Sequence, residues 1–519
     1  MNEIGADSGS PQPDRAGALT HRQILTVFSG VMAGMFVAAI DQTIVTTAAK
    51  EIGGDFGNFT DLAWMFTSYS LASTAVMPLA GKLSDLYGRK LAFQAAIVIF
   101  TGGSLLCGVA PSFGSLIAFR GVQGIGGGAL IVLAFAIVGD IVSPAERGRY
   151  QGLVGSVFAV ASVIGPLLGG MIVANTSWRW IFLVNLPVGV AALLITNRAL
   201  DLPFARRDHR IDWLGAALVV VSASGFVVAA ALIGERHAWS SPAVLACGAI
   251  AVVGAFAFVA QERRAEEPVL PLRLFESRTM QTTSVVAFLL GMGMFGAIVY
   301  LPQYLQVVKE LVATNAGLRM IPVMGGILIA STTSGRLIAR WGRYRMFPIV
   351  GLAIQSVAYL GFAQMGRSTP LVLVFALMTT AGMGIGMVSP VLVLAVQNEV
   401  APSDLGAATS ATTFIRQMGA TLSTAVFGAI IAGRIPLETK FLLDDPDRLE
   451  AVDRAAQLAA IDLFMDTLRV VWWCTVPVAV IGCIVAWRIP ENALRRSANV
   501  TNAPSGAPTA VPEPTFQGD

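Results

Sequence analysis

An acidic side chain inside a long apolar run is the residue of this sequence best suited to chemistry. Asp41 lies near the end of the first apolar segment, and Arg120 lies near the start of the fourth. A carboxylate within a membrane is costly when charged, so such acids are rare unless they are paired, protonatable or wet. Burial favours the protonated form, and a nearby cation favours the charged form. The two residues could therefore take up and release a proton, and the alternative is a static structural ion pair.

Depth along the two segments indicates whether Asp41 and Arg120 can meet. If the N-terminus faces the cytosol, the first segment runs outward and the fourth runs inward. Asp41 lies about seven residues before the end of its segment, and Arg120 about seven residues after the start of its own. At a rise of about 1.5 Å per residue, both lie roughly 10 Å from the outer boundary. We therefore expect Asp41 to carry a coupling proton and Arg120 to modulate its release.

A charged decapeptide between two apolar segments is a second candidate site. Residues 81–90 read Gly-Lys-Leu-Ser-Asp-Leu-Tyr-Gly-Arg-Lys, and a degraded copy with the same spacing follows at 335–344. A repeat of this kind indicates two related membrane halves, which are typical of transporters. The copy has Ala339 at the position of Asp85. An acidic latch, if the loop forms one, is therefore expected in the first half alone.

The residue types of the decapeptide favour a tight and charged turn. Gly81 and Gly88 permit close turns of the backbone, and Asp85 can accept hydrogen bonds from Arg89 or from a neighbouring helix N-terminus. Arg89 and Lys90 can contact anionic lipid headgroups. A well-made hairpin and a conformational latch both explain these residues, and the residues alone leave both interpretations open.

Composition identifies the class of protein. The 519-residue chain is 55% hydrophobic and 13% charged, with a mean hydropathy of +0.69, which excludes a soluble globular protein. Apolar segments this long predict α-helices rather than the strands of a barrel. The fold class is therefore an all-α polytopic membrane protein with about fourteen spans. The predicted spans are 24–48, 61–81, 91–110, 113–139, 149–174, 179–200, 212–233, 243–260, 281–303, 315–339, 345–364, 370–396, 405–433 and 467–489.

Two six-helix bundles with two further central helices are the predicted organisation. Both termini are expected in the cytosol, because most of the 35 Lys and Arg residues then lie on the cytosolic side. This bias explains the net charge of +3 without a nucleic-acid partner. The predicted regions are a disordered tail at 1–21, an N-terminal bundle at 22–200, two linker helices at 201–278, a C-terminal bundle at 279–490 and a disordered tail at 491–519.

The external segment 434–466 is expected to form an amphipathic helix on the outer face, since apolar residues recur at helical spacing from Leu449 to Leu463. The Gly-rich stretch 124–128 is interpreted as a surface for close helix contact. A phosphate loop is disfavoured there because no strand precedes the stretch and no GKS/T ending follows it.

Five short motifs occur in order along the chain. Besides the decapeptide, they are Asp41-Gln-Thr-Ile-Val, Arg120-Gly-Val-Gln-Gly-Ile-Gly-Gly-Gly, Gly165-Pro-Leu-Leu-Gly-Gly, and Ser177-Trp-Arg-Trp-Ile-Phe-Leu-Val-Asn-Leu-Pro. With this set the chain resembles the major facilitator superfamily, and within it the fourteen-helix drug:proton antiporters of bacteria. The resemblance covers essentially the whole membrane region.

The resemblance implies a function. It implies a proton-coupled antiporter that exports lipophilic, often cationic drugs across the bacterial inner membrane by alternating access. The proton gradient would supply the energy, no cofactor would be needed, and membrane lipids would surround the protein. The competing hypothesis is a dedicated exporter of one endogenous metabolite, lipid or self-made antibiotic. The sequence does not indicate an oligomeric state.

The resemblance also implies roles for two motifs. In relatives the decapeptide helps to latch the two halves in one of the alternating states. The fifth-span motif marks exporters rather than importers, and here it consists of Gly165, Pro166, Gly169 and Gly170. These four residues are expected to provide a bend and a face for close packing.

A substrate cavity between the halves needs apolar and aromatic walls with few fixed charges. Each candidate, taken singly, is more often a packing residue, and Arg416 near the midplane is as well explained by hydrogen bonds that hold the bundle. An enzyme is disfavoured because the three His residues lie in tails or loops, and a primary pump because the sequence has no P-loop. The candidates for the cavity are Trp64, Tyr69, Gln123, Phe295, Tyr300, Tyr304 and Arg416.

Overall fold

Long apolar helices make up the described part of the protein. The computed structural model describes residues 21–57, 62–200, 212–234, 239–309, 319–443 and 452–494. Within these ranges the chain contains no strand, and thirteen helices are long and apolar enough to cross a membrane. A further helix of 26 residues, Leu62–Tyr87, lies at the second predicted span. The predicted all-α membrane fold is confirmed. The predicted tails lie outside the described residues, except for residues 21 and 491–494.

The helices of the described ranges are numbered α1 to α17 in chain order. The first ten are α1 His21–Thr47, α2 Ala49–Phe56, α3 Leu62–Tyr87, α4 Arg89–Gly108, α5 Phe113–Ile141, α6 Pro144–Asn175, α7 Trp180–Leu183, α8 Asn185–Ala199, α9 Trp213–Gly234 and α10 Pro242–Glu262. The next seven are α11 Arg278–Gln303, α12 Ile321–Trp341, α13 Met346–Ala363, α14 Leu371–Glu399, α15 Leu405–Arg434, α16 Leu437–Leu443 and α17 Arg454–Ala486. A π-helical turn, Tyr304–Val308, continues α11.

Glycine sets the turn in both copies of the decapeptide. Gly88, between α3 and α4, adopts φ +92°, and Gly342, after α12, adopts φ +69°. L-residues with a side chain rarely adopt this left-handed conformation, so both positions favour glycine. The two copies lie at the same end of the molecule, because Arg89 of the first bonds to Asp140 in the last turn of α5 and Gly335 of the second packs on Gly148 near the start of α6. We call this end the loop face.

Small residues let α5 pass close to its neighbours. An ideal Cβ atom on Gly126 would lie 2.6 Å from Cα of Phe100 in α4, and one on Gly128 would lie 2.7 Å from Cα of Ser73 in α3. No side chain larger than hydrogen fits at such distances without a shift of the neighbouring helix. The interpretation of the stretch 124–128 as a close-packing surface is confirmed.

The two halves meet at two helix crossings near the loop face, which together we call the loop-face seam. In the first crossing, α3 packs on α15, and a Cβ atom on Gly81 would lie 2.5 Å from the carbonyl oxygen of Gly406. In the second, α6 packs on α12, and a Cβ atom on Gly148 would lie 2.9 Å from the carbonyl oxygen of Gly335. Backbones this close leave no passage between the crossed helices.

The central helices α9 and α10 pack on each other and lie against one crossing of the seam. A Cβ atom on Gly225 in α9 would lie 2.9 Å from the carbonyl oxygen of Cys247 in α10. α9 also contacts α3 and α15. After α10, Glu267 forms a salt bridge of 2.7 Å with Lys82 at the end of α3. The two central helices therefore cover the side of the α3–α15 crossing that faces away from the centre of the protein.

The segment 434–466 does not form the separate surface helix predicted from the sequence. α17 begins at Arg454 and continues without a break to the end of the last span. Ile461 and Phe464 are buried in the core of the bundle. Leu449 lies outside the described residues. The prediction was wrong because these residues form the first turns of a spanning helix, which buries the face of Ile461 and Phe464 and leaves the predicted apolar positions Ala456 and Ala459 exposed.

Replacing Gly103 with leucine is expected to lower the thermal stability of the protein. A Cβ atom on Gly103 would lie 2.7 Å from the backbone nitrogen of Gln123, whereas one on the adjacent Gly102 would meet nothing within 4 Å. Overpacking costs about 1–3 kcal/mol, so Gly103→Leu should unfold at a lower temperature than wild type and Gly102→Leu should not. Size-exclusion chromatography after heating in detergent measures both. Equal midpoints for the two variants would contradict the packing described for α4 and α5.

Candidate functional site

Asp41 and Arg120 meet in the interior of the N-terminal helices. Asp41 in α1 has no exposed surface, and Arg120 in α5 is 1% exposed. Nη1 of Arg120 lies 2.6 Å from Oδ2 of Asp41. Pairing of this kind is how membrane proteins accommodate an ionised group away from water. The expected meeting of the two residues is observed, and their role in proton coupling stays a prediction.

Three polar side chains complete the surroundings of the Asp41 carboxylate. Gln123 donates from Nε2 to Oδ1 at 2.8 Å, and Asn185 donates to the same oxygen at 3.2 Å. Ser104 accepts from the amide of Asn185 at 3.1 Å, and Arg120 donates to Oε1 of Gln123 at 2.6 Å. One carboxylate thus holds α1, α5 and α8 together, with α4 joined through the serine.

Two aromatic rings lie against Arg120 in addition to its carboxylate partner. The guanidinium carbon of Arg120 lies 4.3 Å from the ring centroid of Tyr69 and 5.7 Å from that of Phe182. Cation–π contacts of this kind stabilise a guanidinium independently of a carboxylate. Arg120 therefore has favourable contacts besides its ion pair with Asp41.

Sequence reasoning missed two partners of Asp41. Ser104 and Asn185 were not assigned to the pair, although Asn185 stands in the motif that opens the sixth span. On the opposite face from the loops, Trp178 and Arg179 of this motif donate to Oδ2 of Asp55 in α2 at 3.0 and 2.9 Å. The hydrogen bond from Trp178, followed by that from Arg179, holds the pKa of Asp55 below its usual range. The motif therefore fixes the start of α7 and, through it, the amide beside the carboxylate.

A cavity of about 450 Å³ lies beside the ion pair. Its walls come from α1, α3, α5 and α6 on one side and from α11, α12, α14 and α15 on the other, so both halves contribute. Arg120 lines it together with side chains that are mainly apolar or small. The aromatic and methionine residues of the lining are Phe66, Tyr69, Met77, Phe135, Phe158, Met294 and Met324.

Two of the predicted cavity residues line this cavity, and they do so from opposite sides. Tyr69 belongs to α3 in the first half, and Arg416 belongs to α15 in the second. Trp64 is partly exposed near the start of α3 and is not part of the lining, although Phe66 is, because two residues of spacing point to different sides of a helix. The side chain of Phe295 lies outside the described part of the chain.

Three further candidates are occupied by other contacts and do not line the cavity. Gln123 is fully buried and bonded to the Asp41 carboxylate. Tyr300 is buried with its ring 6.3 Å from that of Phe427. Tyr304 is fully buried and donates its hydroxyl to the carbonyl oxygen of Gly366 at 3.1 Å. Their assignment to the cavity was wrong because the sequence does not show which side of a helix faces the other half.

The fifth-span motif packs α6 against α1. A Cβ atom on Gly165 would overlap the hydroxyl oxygen of Thr43, and Gly169 faces α1 one turn later with the same lack of space. Pro166 lies inside α6. A Cβ atom on Gly170 would meet nothing within 4 Å, so the expectation that it belongs to the packing face was wrong. The helix that carries the motif is thus held against the helix that carries Asp41.

Asp85 joins the loop 81–90 to the other half of the protein. Its Oδ1 accepts from the backbone N–H of Gly406 at 3.2 Å, and its Oδ2 accepts from that of Ala407 at 3.0 Å. Nη2 of Arg89 lies 2.6 Å from Oδ1 of Asp85. The first N–H groups of α15 have no partner within the helix, and the helix dipole favours an anion there. Asp85 therefore bridges the first crossing of the loop-face seam.

Asp140 is a member of this cluster that sequence reasoning missed. Nε of Arg89 donates to Oδ2 of Asp140 at 2.6 Å, and the same guanidinium donates to the hydroxyl of Ser84. Lys90 is partly exposed beside it. Asp140 could have been identified from the sequence. It is an acid in the last turn of an otherwise apolar span, and that span ends near a basic loop. Arg89 thus links α4 to both α3 and α5.

Amide and arginine side chains, rather than an acid, bridge the region of the second crossing. Arg147 donates to the carbonyl oxygen of Gln397 at 3.1 Å, and Gln151 donates to Oε1 of Gln397 at 3.1 Å. Gln397 in turn donates to the carbonyl oxygen of Phe135 at 3.0 Å. At the crossing itself, the hydroxyl of Ser331 in α12 donates to the carbonyl oxygen of Gly152 in α6 at 3.1 Å. These hydrogen bonds join α12 and α14 to the N-terminal helices without a carboxylate, whereas Asp85 bridges the first crossing.

The protein has two sets of membrane helices around a shared cavity. The cavity is closed at the loop face, and a buried ion pair forms part of its wall. These features define a polytopic membrane carrier. The sequence profile described as Major Facilitator Superfamily matches residues 31–210 and 202–424. The chain belongs to the major facilitator superfamily.

Relatives and a solved structure agree with this membership. The uncharacterised MFS-type transporter Rv1877 of Mycobacterium tuberculosis is 37% identical over 503 residues, which cover 94% of this chain and 72% of that protein. The multidrug transporter protein MdtP of Bacillus subtilis is 34% identical over 420 residues, which cover 81% of this chain and 77% of that protein. The structure of the proton:xylose symporter XylE has a similar fold, with a TM-score of 0.64 at 12% identity over 92% of this chain and 99% of that chain. The protein is a multi-pass integral membrane transporter.

Removing Arg120 is expected to destabilise the protein more than removing both members of the pair. In Arg120→Gln the carboxylate of Asp41 stays buried without a counter-ion, and breaking a buried pair in this way costs about 3–5 kcal/mol. The double variant Asp41→Asn, Arg120→Gln carries neither charge and should recover part of the loss. Thermal unfolding in detergent at neutral pH measures both. If the double variant does not unfold at a higher temperature than Arg120→Gln, the two charges are not paired in the folded protein.

Replacing Asp85 with asparagine is expected to loosen the loop-face seam. Ser410 is fully buried at the first crossing, so a cysteine placed there reports opening. In a background without native cysteines, Asp85→Asn should raise the rate at which Ser410→Cys reacts with an impermeant maleimide several-fold. Asp404→Asn is the matched control, because Asp404 pairs with the exposed Arg273 at the same end of the molecule. Equal rates in all three proteins would count against Asp85 as a latch.

Proposed function

We propose that this protein is a proton-coupled antiporter that exports lipophilic compounds across the inner membrane of a bacterium by alternating access. The observation that carries the proposal is the Asp41–Arg120 pair, which is buried in one half and forms part of the wall of a cavity shared by both halves. A carrier of this kind needs one group that changes its charge and a cavity where that change is felt.

Proton uptake by Asp41 is the step that changes the charge. In the ionised state the carboxylate holds Arg120, Gln123 and Asn185 in one network. In the protonated state Arg120 loses its counter-ion but keeps its hydrogen bond to Gln123 and its contacts with Tyr69 and Phe182, and its position in the cavity wall can shift. A proton at Asp41 and a substrate in the cavity therefore act on the same guanidinium, which couples the two binding events.

Opening of the loop-face seam is the conformational step. The polar contacts across it are hydrogen bonds to backbone N–H or C=O groups and to amides. Water can replace such partners, so the seam can open without leaving buried polar groups unsatisfied. In this scheme the decapeptide is the latch, and the excess of basic residues supports a cytosolic position of the loop face. The proton gradient supplies the energy and no cofactor takes part.

Export as the direction of transport is supported by a relative, the efflux pump FUS6 of Gibberella fujikuroi, which is 30% identical over 94% of this chain. Lipophilic compounds as substrates are supported by a second relative and by the walls of the cavity. MdtP, named a multidrug transporter, is 34% identical over 81% of this chain. Apolar and aromatic walls suit lipophilic compounds. The sequence-based expectation was that these compounds are often cationic. Among the described residues of the lining, however, there is no carboxylate that could bind a cation.

Substrate-induced proton release from everted membrane vesicles tests the proposal. In vesicles that have been acidified by respiration, several members of a panel of lipophilic compounds should release protons through the wild-type protein. Asp41→Asn should abolish this release, because asparagine keeps the shape of the side chain and removes its ionisable group. A pH-sensitive dye records the response.

Glu438→Gln is the matched control, since Glu438 is an exposed acid in α16. It should release protons as the wild type does. Release by one compound alone would favour a dedicated exporter. Normal release by Asp41→Asn would place the coupling group elsewhere.

A further inference from the structure

The charges around the cavity point to a class of substrate. Among the described residues that line it, the charged ones are Arg120 and Arg416, and none is Asp or Glu. Arg120 is neutralised by Asp41 at 2.6 Å. Arg416 therefore gives the described lining its net charge, and that charge is positive.

Arg416 lies in the middle of α15, a helix of 30 residues. Nη1 of Arg416 donates to the hydroxyl of Ser389 in α14, and no described carboxylate forms a salt bridge with it. A guanidinium has five N–H donors, so most of them remain for a bound molecule. An arginine in the membrane interior without a protein counter-ion is costly and marks a substrate or ion pathway.

Packing fixes Arg416 and places a further donor beside it. A Cβ atom on Gly291 in α11 would overlap the carbonyl oxygen of Arg416, so the two helices touch at this residue. Gln417, on the same helix, also lines the cavity. An amide next to a guanidinium can add a hydrogen bond to one anionic oxygen group.

The wall opposite Arg416 is aromatic. Phe66, Tyr69, Phe135 and Phe158 line the cavity from α3, α5 and α6. Aromatic rings offer large apolar surface to a flat hydrophobic molecule. The cavity thus presents a cation on the C-terminal helices and an aromatic surface on the N-terminal helices.

We propose that the cavity binds amphipathic organic anions, with a carboxylate, sulfonate or ionised phenol on Arg416 and an aromatic body against the opposite wall. This inference rests on the proposed export function and names its substrate class. It replaces the sequence-based expectation of cationic drugs, because a cation would lie beside an unneutralised guanidinium with no acid to receive it.

An anionic substrate changes the energetics of export. If one proton enters for each monovalent anion that leaves, every cycle moves two elementary charges in the direction that a negative-inside membrane potential favours. Exchange of one proton for one monovalent cation moves no net charge. Export of an anion is therefore driven by the membrane potential as well as by the proton gradient.

Binding of two probes that share one apolar body and carry opposite charges tests the proposal. The probes are the sulfonate and the trimethylammonium derivative of one alkylnaphthalene, and equilibrium dialysis measures their binding to the purified full-length protein in nanodiscs. The sulfonate should bind wild type more tightly. Arg416→Gln should weaken the sulfonate by about 10- to 100-fold, which is the usual worth of a hydrogen bond to a charged group, and should not weaken the ammonium.

Two further variants make the result interpretable. Arg434→Gln removes an exposed arginine at the end of the same helix and should leave both affinities unchanged. Arg416→Lys keeps the charge and should retain the preference for the sulfonate, including in the event that the glutamine variant does not fold. An ammonium that binds wild type as tightly as the sulfonate, or an unchanged sulfonate affinity in folded Arg416→Gln, would overturn the proposal.

The dialysis separates this inference from the proposed function. It uses no proton gradient, so a failure of coupling at Asp41 leaves the anion preference measurable. Conversely, proton release that depends on Asp41 but responds to the ammonium and not to the sulfonate would support the antiporter and overturn the anion site.

Discussion

A carboxylate without exposed surface has to receive its hydrogen bonds and its counter-ion from the protein. Asp41 obtains them from Arg120, Gln123 and Asn185, which lie on two other helices, so a single buried charge determines how α1, α5 and α8 are arranged. The same constraint operates at Asp85, whose partners are the N-terminal N–H groups of α15. The helices that surround Asp41 and Asp85 are apolar. Among the described residues, no solvent-exposed side chain takes the place of these buried partners. Conformational change in this protein therefore means an exchange of partners at a few buried polar groups.

Much of the fold and part of the site could be predicted from the sequence, because both depend on distance along the chain. Apolar length predicts the spans, and the repeated glycines at 88 and 342 predict two equivalent turns. Depth along antiparallel spans was sufficient to bring Asp41 and Arg120 together. The helix N-terminus as a partner of Asp85 follows from the chemistry of a carboxylate next to a chain reversal. These inferences need the position of a residue along its helix, and not the direction in which it points.

What depends on rotation about the helix axis, or on contacts between distant helices, could not be predicted. Gln123 and Tyr304 were assigned to a cavity, although one binds the buried carboxylate and the other packs in the C-terminal core. Asp140 meets Arg89 only because α5 ends beside the start of α4. The residues after 452 look like a surface helix by periodicity alone, since a spanning helix that begins outside the membrane shows the same spacing. In each case, the missing information was which neighbour a helix face meets.

The proposed antiport depends on Asp41 gaining and losing a proton, with a change in the contacts of Arg120 at each step. Infrared difference spectroscopy of the purified protein during acidification tests this most directly, with Asp41→Asn measured beside the wild type. A protonated-carboxyl band is expected to appear in the wild type on acidification, to be missing in Asp41→Asn, and to appear at a different pH when a transported compound is bound. The same band in both proteins, unaffected by substrate, would contradict proton exchange at Asp41.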